Sequence, residues 1–478
     1  MGDDADGAVY YVISDLHIGG DEQLEHVEFL EELLDFLERL ERTDEDAELI
    51  VNGDAFGLWE FTDIQGTAKF DALLEAYPEL FAQLRATGEN IPITLLPGNH
   101  DYELAAYEEY VERFAEYNVG LVQEESITRP VGDREIWFEH GMQRDPNNRI
   151  EDFGNAHVTP LGYYVNHHVT SRAGKLSDRG RYNWLKDIQA VTPIERIPVW
   201  MTSKYFYREM NPLLRYAAVP FLLLFNISIV LAVLVGLDLV GVWTAPTEAV
   251  ESALGHLGPV APVVYGLLAA NVAIVGILLL LAIPLYFVLR DVRKTLDRFG
   301  VFETEEPPEP EELDAEAVLA ASSDKPSGTD ERTDGATLDE PAHPDEPYVQ
   351  AARGVFEDRP ETAVFCYGHT HRPSVSEVDD RLVVNTGTWL KRLHRRDIVA
   401  GLLPPVFYPT FQLGYVRIAD EPESVAVEYE TVEKPDPVSD ELTLTERLLT
   451  VSRESEPEIP ERSVVADDAT VAIPEPSE

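Results

Sequence analysis

Five short motifs carry side chains that could do chemistry together: Asp15-Leu16-His17, Asn52-Gly53-Asp54, Gly98-Asn99-His100-Asp101, Glu139-His140-Gly141 and Gly368-His369-Thr370-His371. Each sets a carboxylate, an amide or an imidazole beside a glycine or within two residues of another such group. One Asp-x-His pair means little, because it arises by chance in many chains. Five motifs of this kind supply enough oxygen and nitrogen donors to surround cations, and the glycines allow the backbone to approach closely.

The elements that must position these groups can be read from the residues before them. Val9 to Ile13, Leu49 to Val51, Ile93 to Leu96, Ile136 to Phe138 and Ala363 to Tyr367 are apolar runs rich in β-branched and aromatic residues, the pattern of buried strands. Between them, Val27, Leu30, Leu33, Leu34, Leu37 and Leu40 recur at helical spacing, as do Tyr107, Tyr110, Val111 and Phe114. Another series, Phe70, Leu73, Leu74, Leu80, Phe81 and Leu84, is interrupted by Pro78. Strand alternating with helix predicts an α/β layered plan with the ligand-bearing loops at the strands' C-terminal ends. The single cysteine, Cys366, excludes an internal disulfide and reads as a small core residue.

Taken in order, these motifs resemble the calcineurin-like metallophosphoesterases, over residues 8–155 and 350–430. The resemblance implies a β-sandwich flanked by helices, with a two-metal centre at one edge. It implies that Asp15, His17 and His371 hold one metal, that Asn99, His140 and His369 hold the other, and that Asp54 bridges them. His100 would face the leaving group as a proton donor or charge stabiliser, oriented by Asp101. Carboxylate, amide and imidazole donors without thiolate suit Mn²⁺ foremost, with Fe or Zn²⁺ as alternatives. Two such ions activate water and clamp the oxygens of an in-line phosphoryl displacement. Many relatives carry an acid three residues after the bridging aspartate, where this chain has Gly57. Gly53-Asp54-Ala55-Phe56-Gly57-Leu58-Trp59 is most similar to the branch containing the UDP-diacylglucosamine pyrophosphohydrolases.

Composition sets the surroundings. Lys and Arg number 37 against 88 Asp and Glu, a formal charge of −51, and only 8 of the 37 are lysine. Acid spread along the chain with so little lysine reads as adaptation to high salt, where screening relieves self-repulsion. It also argues against nucleic acid as a partner. The first residues show neither a signal peptide nor a myristoylation pattern.

From about Pro160 to Arg215 the balance reverses, and aromatic residues are interleaved, Trp184 and Trp200 among them. The apolar runs 217–237 and 262–289 follow, each long enough to span a bilayer. Basic residues flank the pair (Arg208 and Arg215 before; Arg290, Arg293, Lys294 and Arg298 after), and the loop between has none. The positive-inside rule therefore predicts a two-span hairpin in the cell membrane, with both termini and the catalytic domain cytoplasmic. In this reading, Trp184 and Trp200 lie at the lipid head groups.

The expected organisation is a first catalytic part over 1–159, a basic juxtamembrane segment over 160–215 and the hairpin over 216–290. A basic flank and acidic disordered linker follow over 291–347, then a second catalytic part over 348–433, with late edge strands, and a mobile acidic tail over 434–478. The expected function is hydrolysis of a phosphate or diphosphate ester, on a lipid or lipid-linked substrate. The alternatives are a nuclease of the same superfamily and a catalytically silent scaffold. Arg144, Asp145, Asn148 and Arg149 are candidates for the pocket mouth, and His167-His168 for contact with a substrate phosphate. His26, His256 and His343 are read as having no part in the site.

Overall fold

In β1 (Val9–Ile13), Val9, Tyr11 and Ile13 enter one apolar layer while Tyr10 and Val12 enter another. Side chains alternate across a strand, so β1 is buried on both faces and must lie inside a layered structure. The protein is described here from a computed structural model. It describes residues 8–20, 27–172, 188, 191, 196–215, 258–266, 269–277, 347–398, 401, 403–422, 424–435, 441–450 and 459–466, with single positions between 219 and 290 besides.

Three parallel neighbours extend from β1: β2 (Ala47–Asn52), β3 (Ile93–Leu96) and β4 (Val119–Leu121). The register pairs Ile13 with Val51 and Asn52 with Leu96, so these strands end level with one another. Asp15, Asp54 and Asn99, which follow those ends by a few residues, therefore emerge side by side. A second sheet is formed by β5 (Ser126–Val131), β6 (Arg134–Glu139), β7 (Thr362–Tyr367), β8 (Ser374–Val378) and β9 (Arg381–Asn385), in the order β5-β6-β7-β9-β8. Here β6 pairs in parallel with β7, Phe138 opposite Cys366, although the whole 140–361 stretch separates them in sequence.

The sheets stack through Tyr10, Val12, Ile50 and Leu96 on one side and Ile136, Phe138, Val364, Cys366 and Val384 on the other. The expected sandwich is present. Its outer faces are covered by helices. Leu30–Glu41 buries Leu33, Phe36, Leu37 and Leu40. The series expected to be interrupted at Pro78 is two helices, Ala68–Ala76 and Pro78–Asn90, with Pro78 in the first turn of the second, where its missing N–H costs nothing. Pro347–Asp358 lays Tyr348, Val349, Ala352 and Phe356 on the outer face of the second sheet.

Three expectations are corrected here. The runs near 413–418 and 425–429 are not edge strands, because β12 (Gly414–Glu421) sits between β1 and β13 (Ser424–Thr431), while β10 (Arg392–Ile398) and β11 (Leu403–Thr410) make a separate pair. The tail is not wholly mobile. Its strand β14 (Arg462–Ala466) pairs with β13 and covers that edge, and Leu444–Leu449 is a helix with a complete capping box at Thr443 and Glu446. Trp200 is not at a lipid surface. It is fully buried with Ile188, Val191 and Phe407, so the basic segment is in part core. Trp184 lies outside the described residues.

The chain divides into two compact units: residues 1–209, 336–396 and 405–478, and residues 210–335 with 397–404. In the second, the helix Gly258–Ile277 has 20 residues and a mean hydropathy of 2.1, is largely exposed, and is long and apolar enough to cross a membrane. The expected first span, the remainder of the second and the acidic linker fall outside the described residues, apart from single positions.

Candidate active site

The strand ends converge. His17 Nε2 lies 3.1 Å from His371 Nε2, His371 Nε2 3.2 Å from Asp15 Oδ1, and His17 Nε2 3.6 Å from Asp54 Oδ2. On the other side of Asp54, His140 Nε2 lies 3.2 Å from both Asp54 Oδ2 and Asn99 Oδ1. Among the described residues, three overlapping groups could hold a cation: Asp15, His17 and His371; His17, Asp54 and His100; and Asp54, His140 and His369. Asp54 is common to the last two, and His17 to the first two.

The backbone is bent to achieve this. Asp15, His17, Asp54, His369 and His371 all have φ between 46° and 66°, a left-handed conformation that costs a non-glycine residue roughly 1–3 kcal/mol. Surrounding bonds hold it in place. Asp15 N donates to Gly53 O (3.1 Å), His17 N to Asp54 O (2.9 Å) and Gly368 N to His140 O (3.0 Å). The stretch after β9 adds more: Thr388 Oγ1 donates to Asp15 O at 2.7 Å, and Asn385 Nδ2 to Gly368 O at 3.0 Å. Gly98 is required by space, because a Cβ there would collide with the Asp54 carboxylate and backbone.

The donors are prepared for cations. His140 Nδ1 is 3.0 Å from Asn52 O. A carbonyl only accepts, so Nδ1 carries a proton there, and Nε2, facing Asp54 and Asn99, is the nitrogen left for a cation to take in place of its proton. Asp15 Oδ1 is buried and makes no hydrogen bond among the described residues, although His371 Nε2 is 3.2 Å away. Burial alone would lower the His140 pKa, but Asp54 outweighs it and pushes the imidazole up to about 10. Burial likewise would raise Asp54, yet His140, His100 and His17 hold it below the usual carboxylate range. Buried carboxylates that draw protons onto histidines this strongly mark a place short of positive charge, which suits divalent cations.

Two acids depart from expectation. Asp101 does not orient His100. Its Oδ1 accepts from Gly98 N at 2.6 Å and its Oδ2 from Phe56 N at 3.2 Å, which shapes the Asn99 loop, and burial with Asp54 nearby raises its pKa to about 7. His100 is held instead by Glu60, whose Oε1 lies 2.6 Å from His100 Nδ1. Burial would lower the His100 pKa, but Glu60 and Asp54 push it up to about 9. A Cβ at Gly57 would lie 3.0 Å from Glu60 Oε2, so glycine there leaves Glu60 room to reach back. The signal for Glu60 was present in the sequence, as an acid directly after the Gly53–Trp59 motif.

Beside His369, Asp145 Oδ2 lies 3.2 Å from Nε2 and also accepts from Asn148 Nδ2 at 2.6 Å, so both belong to the rim. Arg144 turns instead to Glu139, at 3.1 Å. His167 Nδ1 donates to Trp59 O at 2.9 Å, whereas His168 is exposed against the Tyr164 ring. His256 is exposed in the second unit and bonds to Ser252 O. His26 and His343 lie outside the described residues.

Residues 9–232 match the model of the calcineurin-like phosphoesterase family, and no curated protein matches the chain. The match ends before His369 and His371, which β7 returns to the same sheet edge. The domain is that of a metal-dependent phosphoesterase, a hydrolase of phosphate esters.

Proposed function

With a calcineurin-like phosphoesterase domain as the premise, we propose that this hydrolase is anchored in the cell membrane and cleaves a phosphate or diphosphate ester on a lipid or lipid-linked substrate. In this reading Asp15, His17 and His371 would hold one divalent cation and Asn99, His140 and His369 the other, and Asp54 would serve both. Mn²⁺ is the proposed ion, and Fe and Zn²⁺ fit the same donors. When bound, the cations would supply Lewis acidity and activate a water. His100, its Nδ1 occupied by Glu60, presents Nε2 to the leaving oxygen and gives up a proton there.

The observation that carries the membrane reading is Gly258–Ile277, apolar enough to cross a bilayer and largely exposed. The basic residues flanking the apolar runs support cytoplasmic termini. The Gly53–Trp59 motif supports a substrate like that of the diacylglucosamine pyrophosphohydrolases, and the acidic composition supports assays in high salt. Replacing 217–289 with a short linker is the test. Activity on a soluble aryl phosphate should survive, while activity on phospholipid in bilayers should collapse. A full-length enzyme that prefers soluble nucleotides over every lipid tried would defeat the reading.

A further inference from the structure

Glu60 is a buried carboxylate with a divided fate. Its Oε2 makes no hydrogen bond among the described residues, while its Oε1 takes two partners: His100 Nδ1 at 2.6 Å and Asn166 Nδ2 at 3.1 Å. Asn166 comes from far along the chain, where the helix Leu161–Val165 widens into the π-helical turn Asn166–Thr170. Such wide turns occur mainly where function requires a side chain to be re-aimed.

Its amide is oriented by its own neighbours. Ser171 Oγ donates to Asn166 Oδ1 at 3.1 Å, leaving Nδ2 to face Glu60, and Thr170 Oγ1 satisfies Asn166 O at 2.9 Å. The same helix grips the residue before Glu60. His167 Nδ1 donates to Trp59 O, and the Tyr163 ring packs edge-on to the Trp59 ring at 5.6 Å. The Trp59 ring in turn lies 4.8 Å from the His100 ring. Both residues that touch His100 from this side are therefore held by the 161–171 stretch.

We propose that Asn166 is a positioning residue for the hydrolysis, acting through Glu60 to keep His100 Nε2 aimed at the leaving oxygen. The proposal rests on the reading of His100 as proton donor. Full-length Mn²⁺-loaded enzyme would be assayed on aryl phosphates graded by phenol pKa and on an alkyl phosphate. Asn166→Ala should lower kcat about tenfold on the poorest leaving groups, at the low end for an outer-shell partner, and hardly at all on nitrophenyl phosphate, with KM and metal content unchanged. Ser171→Ala, which frees the amide to flip, should show a weaker loss with the same trend. In a Glu60→Gln background, Asn166→Ala should add nothing further, because the two act through one bond.

A loss uniform across leaving groups, one confined to KM, or additivity with Glu60→Gln would make Asn166 merely structural. If His100→Ala shows the leaving-group trend and Asn166→Ala does not, this proposal alone fails. If His100→Ala shows no trend, the proton-donor reading falls and takes this proposal with it.

Discussion

Glu60 Oε1 and His100 Nδ1 lie 2.6 Å apart, although 40 residues separate them in sequence. Burial raises the Glu60 carboxyl, but His100 outweighs it and holds the pKa below its ordinary value, so the pair is a partly buried ion pair. Glu60→Gln should retain metal and lower kcat by about ten- to a hundredfold, the range for partners that orient functional histidines. Steady-state kinetics with metal analysis on the same sample would check this, and wild-type kcat would remove Glu60 from the mechanism.

Asp54→Asn tests the assignment of the shared ligand. The amide oxygen can still accept from His100 N, which bonds Asp54 Oδ1 at 2.7 Å, so circular dichroism should stay unchanged. Bound metal should fall below two per chain and turnover should vanish, because one carboxylate no longer neutralises both cations. Two metals with normal turnover would refute the shared role.

Metal affinity should depend on pH with a definite sign. His140, raised to about 10, carries a proton at neutral pH that a cation must displace. Mn²⁺ binding at pH 7 should therefore release protons and tighten as pH rises toward 10. Calorimetry in buffers of different ionisation enthalpy reads the proton count directly. Heats that do not depend on the buffer would show that His140 is not displaced.

Cys366 lies in β7, fully buried between the sheets, and burial raises its thiol well above the ordinary range. Iodoacetamide should leave it unmodified in the native protein and label it completely in denaturant. Rapid labelling of folded enzyme would mean that β7 opens, and with it the loop bearing His369 and His371.

The residues placed around the centre by sequence were legible because each lies within a few positions of a strand end, and the strands announce themselves by composition. Glu60 and Asn166 were not legible as partners, since their meeting depends on a contact 106 residues apart. Trp200 was misread for a related reason. A basic, aromatic stretch looks like a membrane flank, and the packing against Phe407, about 200 residues away, shows that the ring is core. Period-two alternation identified the strands near 414 and 425 but not their neighbours, so the covering role of Arg462–Ala466 could not be foreseen.

The pairing of β6 with β7 imposes an order on biosynthesis. When His140 leaves the ribosome the nascent chain has made Asp15, His17, Asp54 and Asn99, yet both imidazoles of Gly368-His369-Thr370-His371 are still untranslated. Every apolar residue from 217 to 289 is made before either of them. Domains fold as their residues become available, so the nascent protein commits its apolar segment before it can assemble a complete centre. A ribosome stalled before residue 369 would carry a precursor whose cation site lacks two of its donors, inactive until the last strands of the second sheet arrive.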